Sequence, residues 1–133
     1  MKAISAKATR GLNIGSLVVA ADNSGARIVK IVSVKKGKST KKRQQYAKIA
    51  DWVRVSVRKG KPEMKGEVFD AVVIRQRRSW RRKSEERIAF SDNAVALLKD
   101  DKGNPKGTQI KGAIAREVQE RWAQVAKIAG VVY

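Results

Sequence analysis

The chain is punctuated too densely for long helices: its apolar runs are short, and each meets Gly, Pro, Asn or Asp within a few residues, the pattern of many short strands. Ser16 to Ala21 (SLVVAA) is closed by Asp22-Asn23-Ser24-Gly25, residue types that favour a tight turn, and a hairpin is expected there. Ala26 to Lys35 then alternates, with Ile28, Lys30, Val32 and Val34 on one side and Arg27, Val29, Ile31 and Ser33 on the other. Trp52 to Arg58 reads as a third strand, with Val53, Val55 and Val57 set between polar residues and Gly60-Lys61-Pro62 ending it. Glu67 to Arg77 reads as a fourth, with Val68, Val72 and Ile74 inside. Ile88 to Phe90, Ala94 to Leu98 and Thr108 to Ile110 complete the strands around Ser91-Asp92-Asn93 and a turn-rich Asp101 to Gly107. The expected class is mainly β, a small closed or nearly closed barrel.

Only the last segment changes period. Ile114, Val118, Trp122, Val125 and Ile128 recur at three- and four-residue steps, which predicts one helix over 113–129, with Gly112 before it and Gly130 as its cap. Its apolar face is expected on the barrel, leaving Arg116, Glu117, Glu120, Arg121 and Lys127 in water. The 133 residues fit a single domain, 1–133, with 1–15 as an N-terminal extension. No apolar run approaches the ~20 residues of a membrane helix, and no secretory signal is readable, so a cytoplasmic location and no membrane partner are expected.

Charge decides what such a barrel must meet. The net charge is +19, from 31 Lys and Arg against 12 Asp and Glu, and a surface of one sign repels itself until a polyanion neutralises it. Two clusters concentrate the excess. Between Arg27 and Lys48 stand nine basic residues and no acid, among them Lys35, Lys36, Lys38, Lys41, Lys42 and Arg43. Arg75, Arg77, Arg78, Arg81, Arg82 and Lys83 place six cations in nine residues around Trp80. Guanidinium groups grip phosphate and stack on bases, and a Trp among them can stack too, so both clusters are candidate RNA-binding residues. The plainer alternative is a solvated charge run with Trp80 packed on the barrel; too few acids are available to pair both clusters internally. Asp100 to Tyr133, with six basic and four acidic residues, presents a near-neutral zone.

Catalysis lacks its usual reagents. There is no His and no Cys, which removes the common general base, nucleophile and transition-metal ligands, and the adjacent acids Glu85-Glu86 and Asp100-Asp101 sit in surface connections. Neither a cofactor, a metal nor a small-molecule substrate is expected. Gly37-Lys38-Ser39 superficially resembles a phosphate-binding loop, but Val32 occupies the position where the first Gly is required.

Three stretches resemble the ribosomal L-fourteen family of the large subunit: ADNSGA at Ala21 to Ala26, KGKPEMKGEVFDAVVIRQRRSWRRK at Lys59 to Lys83, and FSDNAVALLKDDKGNPKGTQIKGAIARE at Phe90 to Glu117. They cover about half the chain in the family's order, and the KGKPE and AVVIRQRRSWRRK forms resemble the archaeal and eukaryotic type. The resemblance implies a five-stranded barrel with small C-terminal helices, a structural constituent of the ribosome bound to large-subunit rRNA beside other ribosomal proteins. It also implies a place on the intersubunit face, bridging to small-subunit rRNA, and a docking surface for the anti-association initiation factor. On this chain that surface falls on Arg116, Glu120, Arg121, Gln124 and Lys127. Eukaryotic relatives tend to carry a proline after the Trp of the helix; here Ala123 stands there, which leaves a continuous helix open. The rival from another class is a free nucleic-acid-binding barrel of the chromatin or single-strand type. Such a barrel needs several stacking rings on one face, and the only candidates are Trp52, Trp80 and Phe69.

Overall fold

The computed structural model describes residues 2–35 and 41–133. In chain order the elements are β1 (Ala6–Lys7), β2 (Leu12–Asn13), β3 (Leu17–Ala20), β4 (Ala26–Val34), β5 (Tyr46–Ala47), β6 (Trp52–Gly60), β7 (Val68–Arg75), β8 (Trp80–Arg82), β9 (Arg87–Ile88), β10 (Ala94–Leu97), β11 (Ile110–Ile114), α1 (Arg116–Arg121), α2 (Ala123–Ala126) and β12 (Ala129–Val132). Five of them close a barrel in the order β10-β3-β4-β6-β7. All neighbours are antiparallel except β10 and β3, whose parallel pairing seals the cylinder. The mainly β class and the barrel expected from the sequence are what the chain forms.

The hairpin at Asp22–Gly25 forms because Asp22 organises it: its Oδ1 accepts from the Ser24 hydroxyl at 2.7 Å, while its Oδ2 accepts from the Leu97 backbone N–H at 2.9 Å and ties the turn to β10. Gly25 and Gly60 meet where β4 and β6 begin and end. A Cβ on Gly60 would lie 2.6 Å from the Gly25 carbonyl oxygen, and both residues have positive φ, so the crossing needs glycine at both.

Cross-strand partners define the interior. Val29 faces Val57, Ile31 faces Val55 and Val34 faces Val53, while Val53 faces Ala71 on the far side. Two adjustments correct the alternation expected in β4. The pairing with β6 shifts register around Ile28 and again between Ile31 and Ser33, so Val29, Ile31 and Val34 all point inward and Val32 is left outside. A bulge adds a residue and turns the strand, which a small barrel needs in order to close. Val68, expected inside, is also exposed, because it lies at the open start of β7.

From Ala71 to Ile74, β7 is buried on both faces. Ala71 and Val73 fill the barrel, while Val72 and Ile74 lie beneath the C-terminal layer, where the Ala115 N–H donates to the Ile74 carbonyl. That layer is not one helix. Ile114 ends β11, α1 stops at Trp122 (φ −127°, ψ 70°), α2 follows, and the chain leaves as β12, paired in parallel with β11. Gly112 therefore sits within a strand at φ +82°, and Gly130 belongs to β12 rather than to a helix cap. The break has a local cause: the extended Trp122 backbone lets its indole N–H reach the Ala50 carbonyl at 2.8 Å and its ring meet Trp52 edge-on at 6.0 Å. Ala50, buried with φ +66°, is held in a left-handed conformation that presents this carbonyl to Trp122 and Arg121. Among the described residues no helix is long and apolar enough to cross a membrane.

Candidate nucleic-acid interface

The second basic cluster begins as β7 leaves the barrel. Gln76 is fully buried and pins the exit, its Nε2 donating to the Thr9 hydroxyl and, at 2.8 Å, to the Arg78 carbonyl. Thr9 in turn donates to the Ser79 carbonyl at 2.8 Å, and Asn93 Oδ1 receives the Arg77 N–H at 2.8 Å. With both sides of the loop tied down, Arg77 and Arg78 are exposed on a fixed backbone; Arg78 also donates to the Arg10 carbonyl at 3.0 Å.

β8 then sorts the rest by strand parity. Trp80 and Arg82 point in; Arg81, with Lys83 after it, points out. Trp80 has no exposed surface, stacks on Phe90 at 5.9 Å and donates its indole N–H to Glu117 Oε1 at 3.1 Å, so its ring is closed to a base. Arg82 is buried as well. Its Nε donates to Glu117 Oε1 at 2.9 Å and its Nη2 to Glu117 Oε2 at 3.3 Å, and it also reaches the Tyr133 oxygen. Arg75 is engaged too, with Asp92 at 3.0 Å and with the Lys111 and Ala113 carbonyls. Three residues expected to face RNA thus make contacts within the fold: Trp80 and Arg82 pair the buried Glu117 carboxylate, and Arg75 satisfies two carbonyls of β11.

Further exposed cations stand on the two strands beside β8. β1 pairs with β8 so that Lys7 lies opposite Arg81, and β9 places Arg87 opposite Arg81 on the other side. Directly paired residues share a face, so Lys7, Arg81 and Arg87 form a row of three exposed cations. Like charges side by side across strands repel and destabilise the bare sheet. Compensation is slight: Glu85 approaches Arg81 only to 3.6 Å with both side chains largely in water. A signal existed in the alternation of Ala6-Lys7-Ala8, but two residues are too few for a strand to be read without its partner.

The first cluster is divided in the same way. Lys36 and Lys38 lie outside the described residues. Lys35 pairs with Asp70 at 3.6 Å and sits 4.4 Å above the Trp52 ring, whereas Lys41, Lys42 and Arg43 are exposed. Downstream, β5 pairs with β2, and Arg10 lies over the Tyr46 ring at 4.2 Å. The N-terminal segment is therefore a strap that joins β8 through β1 and the base of the Lys41–Arg43 loop through β2, with Arg10 between.

On the C-terminal layer, Arg116, Gln124 and Lys127 are exposed. Glu120 accepts the Ser5 N–H at 2.9 Å, and Arg121 is spent internally on the Lys2 carbonyl, the Ala50 carbonyl and Asp51. Burial raises the Asp51 carboxyl above its ordinary value, against the lowering by the Lys48 N–H and the Lys48 and Arg121 charges. Glu117, expected in water, is the buried acid that organises Trp80 and Arg82. Among the described residues no group of acids is placed to hold a metal ion.

Residues 11–133 match the model of the family described as ribosomal protein L14p/L23e. The large ribosomal subunit protein uL14 of Nanoarchaeum equitans is 56% identical over 132 residues, 99% of each chain. The proteins of that name from Methanothrix thermoacetophila and Haloarcula marismortui are 48% and 46% identical over the same span. With a barrel of this order and likeness over nearly its whole length, the chain belongs to the ribosomal protein L14p/L23e family.

Proposed function

We propose that the chain is a structural constituent of the large ribosomal subunit in the cytoplasm, not an enzyme, and that it holds folded rRNA on the face formed by Lys7, Arg77, Arg78, Arg81, Lys83 and Arg87, extended by Lys41, Lys42 and Arg43. The observation that carries this reading is the Lys7–Arg81–Arg87 row: a protein keeps like charges abreast on a rigid sheet when a polyanion completes it. The grip is on phosphates and shape. Trp80 and Trp122 are buried, so the barrel offers few rings for stacking, which disfavours a free single-strand-binding protein.

Neighbouring ribosomal proteins share the assembly, and the barrel stands at the intersubunit face, bridging to small-subunit rRNA. The anti-association initiation factor docks on the C-terminal layer through Arg116, Gln124 and Lys127, with Glu120 and Arg121 shaping that layer from beneath. Supporting this is the contrast between this near-neutral zone and the cationic face. The test is binding of purified protein to large-subunit rRNA across a salt series. Six phosphate contacts predict a log-log slope of roughly −4 to −5, and co-sedimentation with large subunits at moderate salt. Equal preference for duplex DNA, or a slope near zero, overturns the RNA reading; factor binding unchanged after Arg116→Ala with Lys127→Ala overturns the docking surface.

A further inference from the structure

The outer face of β3 and β4 carries an apolar strip that the RNA reading does not use. Leu17 and Val19 are 64% and 41% exposed, and Val19 faces Ile28 across the strand pair while Leu17 faces Lys30. Ile28 in turn faces Lys59 of β6, so all five side chains share the outer surface. Two shallow hollows lie here, one over Leu17 and one over Val19, and they meet at Ile28 and Lys59, forming one groove along the barrel wall.

Its rim is cationic and unbalanced. Lys30, Arg58 and Lys59 have no ion pair among the described residues, and the sole acid lining the groove, Asp22, is buried with both oxygens engaged within the turn and on β10. A contiguous apolar strip with a charged rim marks an interaction surface. The floor is aliphatic, without the aromatic ring on which an RNA base stacks. A second copy of the chain would bring +19 against +19. The barrel is closed, so an occupant cannot add itself as an edge strand and must be read through its side chains.

We infer that this groove docks an extended segment of a partner protein in which apolar residues alternate with acidic ones, the apolar side chains seating on Leu17, Val19 and Ile28 and the carboxylates meeting Lys30, Arg58 and Lys59. The probes are a short fluorescein-labelled peptide alternating leucine with glutamate, a companion with serine at every leucine, and a uridine oligonucleotide of equal charge, followed by anisotropy. Burial of two leucines predicts that the first peptide binds at least about tenfold more tightly than the second. Leu17→Ser with Val19→Ser removes that preference; Leu17→Ser alone reduces it and serves if the double variant loses its circular dichroism. Lys30→Ala with Lys59→Ala weakens both peptides. Arg77→Ala with Arg78→Ala weakens the oligonucleotide and leaves the preference intact, which keeps this surface distinct from the rRNA face. Equal binding of the two peptides, a preference undiminished by Leu17→Ser, or an oligonucleotide that weakens with the apolar variants would each overturn the assignment.

Discussion

Arg81 and Arg82 are adjacent and chemically identical, yet strand parity predicts opposite consequences for their loss. Arg82→Ala leaves Glu117, 2% exposed, with only the Trp80 indole for a partner. Stranding one member of a buried ion pair costs about 3–5 kcal/mol, a large share of the roughly 5–15 kcal/mol that holds a domain together. Arg81→Ala removes a half-exposed guanidinium, a loose contact to Glu85 and both like-charge pairings with Lys7 and Arg87, and is expected to leave stability unchanged or to raise it by up to about 2 kcal/mol. Its effect falls on RNA instead, lowering the salt slope by about 0.7–0.9. Urea unfolding followed by tryptophan fluorescence reads the first quantity, and filter binding the second. The double variant Arg82→Met with Glu117→Leu supplies the control: exchanging a whole buried pair for apolar groups is often neutral, so it should lose less than Arg82→Ala, keeping only the roughly 1–3 kcal/mol cost of the unpaired Trp80 N–H. Losses of less than about 1 kcal/mol for Arg82→Ala, or equal losses for both arginines, would refute the assignment of inside and outside on β8.

Two further perturbations follow from close packing and from burial. Gly11→Ala would set a methyl 2.4 Å from Gln76 Cδ, against a fully buried side chain; overpacking of this kind costs about 1–3 kcal/mol, measurable as a lower urea midpoint. Asp51, whose carboxyl is raised above 3.8 by burial, keeps its proton longer in the folded chain than in the unfolded one. Its contribution is thus full below that value and declines as pH rises through the raised one. Relative to Asp51→Asn, the parent should lose ground as pH rises from below 3.8 through the raised value; a parent that gains ground instead would reverse the sign.

The features legible in the sequence were those encoded over a few neighbouring residues. Asp22-Asn23-Ser24-Gly25 carries its turn chemistry within itself, and β6 alternates from Trp52 to Arg58, so both form as read. The register of β4 depends on where β6 must cross it, which no window on β4 contains. The C-terminal period is that of burial rather than of helix. Val118, Trp122 and Val125 do face the barrel, but Ile114 reaches it from a strand, and Trp122 breaks the helix to bond Ala50, 72 residues away. Glu117 is buried against its local pattern for the same reason: it stands in a run of charges, and its partners lie 35 and 37 residues upstream. Cationic density marks the candidate interface only in outline, and strand pairing separates the arginines that tie the fold from those left open.

That separation makes the open row a balance between two demands. Lys7, Arg81 and Arg87 abreast should cost the free protein stability, with each directly opposed like pair contributing up to about 1 kcal/mol, and should return it when phosphates arrive. Lys7→Ala with Arg87→Ala tests both halves at once. In dilute buffer the variant is expected to unfold at higher urea than the parent, with the advantage fading as salt screens the row. Its rRNA binding should weaken, with the salt slope smaller by about 1.4–1.8. Opposite signs for stability and affinity distinguish a row held for a polyanion from cations that merely decorate the surface, whose removal would leave both unchanged. A variant less stable than its parent at low salt, with rRNA affinity intact, would show that Lys7 and Arg87 serve the sheet itself and that the phosphates are held elsewhere.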